Sequence, residues 1–267
     1  MTRIIKLILS SFYFIWLKIK YFILKFLKIK SEPICVALYY HSIFDNEKEA
    51  FKKQMKLISK KCEVIPSDYF GKLEKDKLYS IITFDDGFEN LIENAVPSLE
   101  KYKLPFTIFF ISSYFGKKPE WEFDDYHPDM NEKIMTVEQM NKLPQNLITI
   151  GSHSVSHNKL TSYSEEDLVY ELAESKKQLE QLSGKKVNVI AFPNGEYNEH
   201  VLQESFNAGY KRVFTIEPKL ALTDNNERIT GRVWANGNDW YPEFWLKIHG
   251  AYSWLDKAFE LKRKIIK

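Results

Sequence analysis

Two short segments of this 267-residue chain combine residue types that bind metals and move protons. The first, S-I-I-T-F-D-D-G at 80–87, is an apolar stretch that ends in the adjacent carboxylates Asp85 and Asp86 and a glycine. Adjacent carboxylates in a turn point in different directions, so one can bind a metal while the other acts as a base. A solvated surface turn is the alternative, because aspartate and glycine both favour turns.

The second segment, I-T-I-G-S-H-S-V-S-H at 148–157, places a histidine pair after another apolar stretch. His153 and His157 are four residues apart, so one helical turn would bring both imidazoles to the same side. Together with one carboxylate they form a three-ligand set that suits zinc and leaves positions open, as at catalytic metal sites. Two solvent-facing histidines at the start of a helix are the alternative.

Two further segments end in polar residues. In V-I-A-F-P-N-G-E-Y-N at 189–198, Pro193 and Asn194 begin a turn whose backbone N–H could face a developing oxyanion, although a plain turn has the same pattern. In V-A-L-Y-Y-H-S-I at 36–43, His41 follows an apolar stretch. It is a candidate general acid for a leaving amine, with a structural role as the alternative.

These segments need a scaffold that brings them together, and the rest of the chain indicates one. Predicted strands at 34–40, 79–84, 105–111, 147–151, 187–192 and 212–216 alternate with predicted helices at 47–61, 88–102, 137–142, 165–182 and 198–207. The alternation predicts a parallel α/β fold, with barrel-like closure for this number of units. Active sites collect at the carboxyl ends of such strands, where all four segments fall. The polar stretch 117–135 is predicted to be a long loop over one face.

The first thirty residues form a separate predicted segment, which divides the chain into 1–30 and 31–267. A helix over 4–29 would be amphipathic, with Arg3, Lys6, Lys18, Lys25 and Lys28 on one side and Ile8, Phe12, Ile15, Trp16, Ile19, Phe22, Ile23 and Phe26 on the other. This pattern predicts a helix that lies in the interface of an anionic membrane. A short tilted spanning anchor and packing on a partner are alternatives, whereas no small-residue cleavage site supports a signal peptide.

Composition narrows the class of protein. The net charge of +2 is too small to indicate nucleic-acid binding, and 44% hydrophobic residues support a folded core. Cys35 and Cys62 lack metal-ligand spacing and are predicted to be reduced packing residues, consistent with a cytoplasmic setting. Lysines are more frequent after the apolar run than before it, which favours the cytoplasmic face of the inner membrane.

The four segments together resemble the polysaccharide deacetylase (NodB-like) family over about residues 33–250. T-F-D-D-G at 83–87 and H-S-V-S-H at 153–157 match that family's first two motifs in sequence, order and separation. The resemblance implies an irregular (β/α) barrel in which Asp85 is the general base and Asp86, His153 and His157 bind the metal. Zinc is the expected ion, with cobalt and nickel as alternatives.

The chain departs from many family members in two ways. Their third motif begins with an arginine before the turn, whereas here the turn is F-P-N-G, and Arg232 in T-G-R-V-W is the candidate substitute. The resemblance implies that Asn194, after Pro193, contributes its backbone N–H to an oxyanion hole. The segment Y-Y-H-S-I is similar to the circularly permuted branch of the family, so His41 rather than His249 is predicted to be the acid.

The predicted function is metal-dependent hydrolysis of an N-acetyl or N-formyl group from an amino sugar. The enzyme would be a hydrolase acting on non-peptide carbon–nitrogen bonds, with a cell-surface polysaccharide or its lipid-linked precursor as substrate. Residues 4–29 would contact a membrane surface, and no nucleic-acid partner is expected. The alternatives are an O-acetyl esterase that uses the same site and a non-catalytic, membrane-associated sugar-binding protein.

Overall fold

Strands and helices alternate from residue 34 onward in the computed structural model, which describes residues 2–121 and 128–257. The strands are β1 Ile34–Tyr40, β2 Glu63–Val64, β3 Leu78–Phe84, β4 Phe106–Phe110, β5 Ile148–Ser152, β6 Val189–Ala191, β7 Arg212–Phe214, β8 Ile229–Thr230 and β9 Val233–Trp234. The helices are α1 Arg3–Phe26, α2 Lys48–Lys61, α3 Leu91–Asn94, α4 Val96–Lys101, α5 Val137–Lys142, α6 Glu165–Ser183, α7 Glu199–Asn207 and α8 Tyr241–Ile248.

The strands form one parallel sheet in the order β8-β7-β6-β5-β4-β3-β1-β9, with β2 paired to β3. Strands β8 and β9 belong to one extended segment, 229–234. Its first part pairs with β7 and its second part pairs with β1. This segment joins the two ends of the strand order, so the sheet curls into the predicted irregular barrel with helices outside it.

The six predicted strands are all present. The differences from prediction are the additional strands β2, β8 and β9, the additional helix α8 and one divided helix. Strands β2, β8 and β9 have two residues each, too few to show an alternating pattern. The predicted helix 88–102 is wrong in its continuity, because the chain breaks at Ala95 between α3 and α4. Pro97 explains the break, since proline lacks the N–H that a continuing helix needs and its ring crowds the preceding turn.

The core has two layers because strand side chains alternate between the two faces of the sheet. The outer layer packs the sheet against the helices. The inner layer fills the barrel with side chains that include Cys35, Ala37, Tyr79, Ile81, Phe109 and Phe214. Cys35 is buried in this layer, Cys62 is partly buried, and both are free thiols, as predicted.

Helix α1 lies along the outside of the barrel, against α8. Its Ser10 is fully buried, and the Ser10 Oγ accepts a hydrogen bond of 2.9 Å from Trp254 Nε1. The Phe14 ring meets the Trp245 ring edge-on, with 4.7 Å between their centroids. At the start of the helix, Arg3 Nε donates to a Glu243 carboxylate oxygen at 2.6 Å.

The docked side of α1 is the side predicted to be basic. Leu7, Ser10 and Phe14 interrupt the basic residues there and pack on the barrel, while Arg3 finds a carboxylate. The predicted apolar side stays exposed along its length, with Phe22 72% exposed and Phe26 79% exposed. By length and composition, α1 could also cross a bilayer.

Candidate active site

Asp85 and Asp86 follow β3 directly, in a turn that separates their side chains. Asp86 and Gly87 have positive φ angles of 68° and 81°. A Cβ at Gly87 would lie 2.5 Å from the Phe110 ring, so this position requires glycine. Both carboxylates are buried, and Asp85 turns toward the barrel interior while Asp86 turns toward the histidines after β5.

His153 and His157 come together through an irregular turn rather than the predicted helical turn. The backbone from Ser154 to His157 is not helical, and these two residues have φ angles of 65° and 64°. Glu171 of α6 stabilises this turn by accepting hydrogen bonds from the backbone N–H groups of Val155 at 2.9 Å and Ser156 at 3.0 Å. The buried carboxylate thereby satisfies N–H groups that a helix would direct along its own axis.

Asp86, His153 and His157 form a compact cluster of metal-binding groups. Asp86 Oδ1 lies 3.5 Å from His153 Nε2 and 3.3 Å from His157 Nε2. His153 Nδ1 lies 2.8 Å from the Ala191 carbonyl oxygen, which can only accept, so Nδ1 carries the proton and Nε2 presents its lone pair. Burial lowers the pKa of His153 to about 4, so this imidazole is neutral at pH 7.

One buried atom of the cluster fits a bound cation. Asp86 Oδ1 faces both histidine Nε2 atoms and has no well-formed hydrogen bond among the residues that the structure describes. Burial would raise the pKa of Asp86, but its interaction with His157 lowers it below the ordinary value, so the carboxylate is ionised. An ionised oxygen buried without donors is costly, and one carboxylate with two imidazoles is a donor set that suits zinc.

Asp85 is held by Arg232, which precedes β9. Arg232 Nη1 and Nη2 donate to the two Asp85 carboxylate oxygens at 2.6 and 2.9 Å. The guanidinium is fully buried, also donates to Thr83 Oγ1 at 3.1 Å, and lies over the Tyr39 ring at 4.7 Å. Burial would raise the pKa of Asp85, but Arg232 lowers it, so Asp85 stays a carboxylate. An arginine from the segment that closes the barrel thus contacts Asp85, although the third motif has none.

His41 and Asn194 lie at the same end of the barrel, after β1 and β6. The His41 ring packs edge-on against Tyr39, and it lines a pocket of about 100 Å³ together with Asp129 and Trp234. A positive charge on His41 would lower the pKa of both Asp85 and Asp86. Asn194 is exposed, with a φ of 58°, in the 3₁₀ turn Pro193–Gly195.

His249 lies at the other end of the barrel. It follows α8, and its ring packs at a tilt against the Trp245 ring, with 4.0 Å between the centroids. A Cβ at the next residue, Gly250, would lie 3.1 Å from Ile34, the first residue of β1. The barrel therefore separates His249 from the carboxyl ends of the strands, where the other candidate residues collect.

Three residues near the cluster were not predicted from the sequence: Glu171, Tyr39 and Trp121. The Trp121 ring lies 4.2 Å from the His157 ring, so the predicted loop 117–135 contacts the metal-site residues. Residues 122–127 of that loop lie outside the described residues. A glutamate in the first turns of α6 gives no sequence signal for burial, since the same residue type is common on exposed helix faces.

The chain is similar in sequence to known polysaccharide deacetylases. The family model described as polysaccharide deacetylase matches residues 72–213, more than half of the chain. YxkH of Bacillus subtilis (strain 168), which is named for the same family, is 31% identical over 73% of this chain and 69% of its own length. The poly-beta-1,6-N-acetyl-D-glucosamine N-deacetylase of Staphylococcus aureus (strain MRSA252) is 30% identical over 61% of this chain and 56% of its own length.

Solved structures support the fold. IcaB from Ammonifex degensii matches with a TM-score of 0.65 and 19% sequence identity, covering 83% of this chain and 100% of that one. At this identity the likeness concerns the barrel architecture.

Proposed function

The chain belongs to the polysaccharide deacetylase family, which comprises hydrolases of carbohydrate carbon–nitrogen bonds, and we propose that it removes N-acetyl groups from an amino-sugar polysaccharide with a divalent metal ion. The observation that carries this proposal is the buried cluster of Asp86, His153 and His157 beside an Asp85 that Arg232 holds in its ionised form. Asp85 is thereby left for proton transfer, while Asp86 faces the histidines.

Asp86, His153 and His157 would hold the metal. A divalent ion in such a set supplies Lewis acidity, which makes a water more acidic and polarises an acyl carbonyl. Zinc fits the donors best, and cobalt or nickel would fit the same nitrogen and oxygen ligands.

Asp85 would take the proton from the attacking water. Its ion pair with Arg232 fixes the carboxylate in orientation, because both oxygens are engaged by a rigid planar group. The same pair lowers the pKa of Asp85, which keeps it able to accept a proton near neutral pH. Arg232 is therefore proposed as the residue that positions the base.

His41 would give a proton to the leaving amine, and the backbone N–H of Asn194 would donate to the developing oxyanion, with Pro193 fixing the turn. Both residues follow strands of the same sheet, on the side of Asp85, which supports these roles. A general acid is needed because an amine leaves poorly without protonation.

The substrate to test first is a β-1,6-linked polymer of N-acetylglucosamine, the substrate named for the Staphylococcus aureus relative. Within the same proposal, the substrate could instead be a lipid-linked precursor of the polymer, and the acyl group removed could be N-formyl. The exposed apolar side of α1 supports the lipid-linked form, since the enzyme would then meet its substrate at a membrane surface.

We further propose that residues 1–30 are a membrane-interfacial segment and residues 31–267 the catalytic domain. Side-on docking of α1 against α8 favours a helix in the interface over one that leaves the barrel to span the bilayer. The cytoplasmic face follows only from the lysine excess after the apolar run, and protease protection of α1 in sealed vesicles of each orientation tests it.

The decisive experiment pairs metal analysis of the purified chain with acetate release from soluble and lipid-linked amino sugars. About one divalent ion per chain and metal-dependent acetate release are expected. Acetate release from O-acetylated sugars alone would replace the amide hydrolase with an esterase. A chain with no metal and no deacylation of any sugar would be a sugar-binding protein.

A further inference from the structure

A second pocket, of about 350 Å³, lies between the first turns of α1, the end of β9 and α8. Helix α1 contributes Arg3 and Lys6, and the β9 end contributes Trp234. Its volume falls within the range of small-molecule sites, about 300–1,000 Å³. The metal-binding residues do not line it, so this second pocket is distinct from the metal cluster.

The second pocket adjoins the catalytic groups on two sides. Trp234 and Asn236 line both this pocket and the smaller pocket that contains His41. On another side, Ile216 lines it and packs so closely on Gly195 that a Cβ there would lie 2.3 Å from the isoleucine. Gly195 follows Asn194, so the second pocket lies beside both the candidate acid and the candidate oxyanion turn.

The wall of the second pocket also reaches the candidate base. Tyr39 lines the pocket, and its ring lies 4.7 Å from the Arg232 guanidinium that holds Asp85. The Tyr39 ring and the Arg232 guanidinium therefore separate the pocket from Asp85.

Three cations and two carboxylates line the second pocket, and two of the cations are paired with the carboxylates. Arg3 pairs with Glu243 at 2.6 Å, and Lys247 pairs with Asp239 at 2.6 Å. Lys247 also lies 3.4 Å from Glu243, so both carboxylates have cationic partners. Lys6 is the third cation, so the wall keeps one positive charge in excess, and the hydroxyl groups of a ligand can use its remaining lone pairs and N–H groups.

Trp234 gives the second pocket an aromatic face. It is 53% exposed although it lies at the end of a barrel strand, so much of its ring is available to a ligand. Aromatic rings with a polar edge bind molecules that are apolar on one side and polar on the other, which describes a sugar ring.

We propose that the second pocket is a saccharide subsite that holds the uncharged sugar unit next to the one being deacetylated. This inference rests on the proposed function and names the oligomeric form of its substrate. Since Arg3 and Lys6 belong to the pocket, α1 is then a wall of the substrate site as well as a membrane-facing helix.

The test is calorimetric binding of a pentamer of β-1,6-linked N-acetylglucosamine to the full chain. Trp234→Leu keeps apolar volume but removes the aromatic face, and it is expected to weaken pentamer binding about tenfold. Tyr241→Leu is the matched control, since Tyr241 is 67% exposed at the start of α8 and does not line the pocket. Its binding should stay at the wild-type value.

Acetate release from the pentamer, measured alongside, separates this inference from the proposed function. Equal pentamer binding by the wild type and Trp234→Leu, or no binding by the wild type, overturns the subsite. Pyrophosphate binding that Lys6→Ala abolishes, without pentamer binding, overturns it in favour of an anion site. Pentamer binding that depends on Trp234 in a chain that releases no acetate supports the subsite and refutes the deacetylase.

Discussion

The end of the barrel that carries the candidate active site, here called the catalytic end, differs from helix α1 in how its side chains find partners. At the catalytic end, the buried charge of Asp85 is paired within the chain, through two hydrogen bonds from Arg232. On α1, large apolar side chains such as Phe12 at 67% exposed and Phe22 at 72% exposed remain in contact with solvent. In the first region, the buried charges have partners within the chain or fit a bound cation. The second region has an apolar surface that the described chain does not cover.

This difference separates what each region needs. Burial of apolar area stabilises by roughly 25 cal/mol per Å². The exposed apolar side chains of α1 gain nothing from this effect in water, but they would gain it on transfer into a membrane. Burial of a charge is unfavourable unless the charge is paired. Removal of one partner leaves the other charge buried and unpaired, so the catalytic end is sensitive to single substitutions. Changes at the catalytic end should therefore abolish function, and changes on the exposed side of α1 should alter location.

Removal of a metal-binding imidazole is expected to have the largest effect. His153→Ala removes Nε2 from the three-ligand set, so bound metal should be lost and acetate release should fall by roughly 10³-fold or more. Elemental analysis and acetate assays measure both. His200→Ala, an exposed histidine on α7, is the control and should retain metal. Unchanged metal content in His153→Ala would refute the ligand set.

Asp85→Asn tests whether the carboxylate held by Arg232 is a base rather than a ligand. The amide keeps the shape of the side chain but cannot take a proton, so activity should fall roughly 10²–10⁴-fold with metal content unchanged. Loss of the counter-charge to a buried arginine should also lower the melting temperature, as recorded by thermal unfolding. Normal turnover in this variant would rule out the role of base.

His41→Ala separates protonation of the leaving group from attack on the acyl carbon. Release of acetate from an amide should fall roughly 10²-fold, because the amine must be protonated as it leaves. Hydrolysis of an aryl acetate, whose leaving group needs no proton, should change little. His249→Ala should leave both rates at wild-type values, and a larger amide defect there than in His41→Ala would reverse the choice of acid.

Glu171→Gln tests a contact one step away from the metal. Its carboxylate holds the turn between His153 and His157, so metal affinity should weaken roughly 10–100-fold, the usual effect of a lost outer partner. Glu174→Gln, one turn along α6 and partly exposed, is the matched control. Equal metal affinity in the two variants would show that Glu171 only stabilises the fold, a role that thermal unfolding measures separately.

The sequence predicted the strands and helices around the candidate site well where a local pattern carries the information. Strand β1 and helix α5 begin and end at the predicted residues. The motif at 83–87 predicted that Asp85 and Asp86 follow a strand, because a carboxylate pair and a glycine at a strand end are local features. The match of the family model extends over that motif and the histidine motif, and the predicted family and barrel are confirmed.

Long-range contacts explain what the sequence could not predict. Arg232 and Asp85 are 147 residues apart, and they meet only because the segment 229–234 closes the barrel. The turn at His153 depends on Glu171 from the following helix, which no local periodicity records. The circular permutation, the metal identity and the roles of His41 and Asn194 stay predictions.

Substitutions on the two sides of α1 are expected to have the smallest effects, and the two sides should differ clearly in whether stability or membrane binding changes. Phe14→Ser acts on the docked side, where Phe14 packs edge-on against Trp245, and it should lower the free energy of unfolding by about 1–3 kcal/mol. Phe22→Ser acts on the exposed side and should change that free energy by no more than about 0.5 kcal/mol. Denaturant unfolding measures both.

In flotation with vesicles of anionic lipid, the order of the two variants should be reversed, with the larger change in bound fraction for Phe22→Ser. Phe22→Ser should reduce the bound fraction, because it removes apolar area from the lipid-facing side, while Phe14→Ser should bind as the wild type does. If Phe22→Ser floats normally and instead lowers the free energy of unfolding, the exposed side is covered by protein, most simply a second copy of the chain. The contrast between the two regions would then lie in assembly rather than in location.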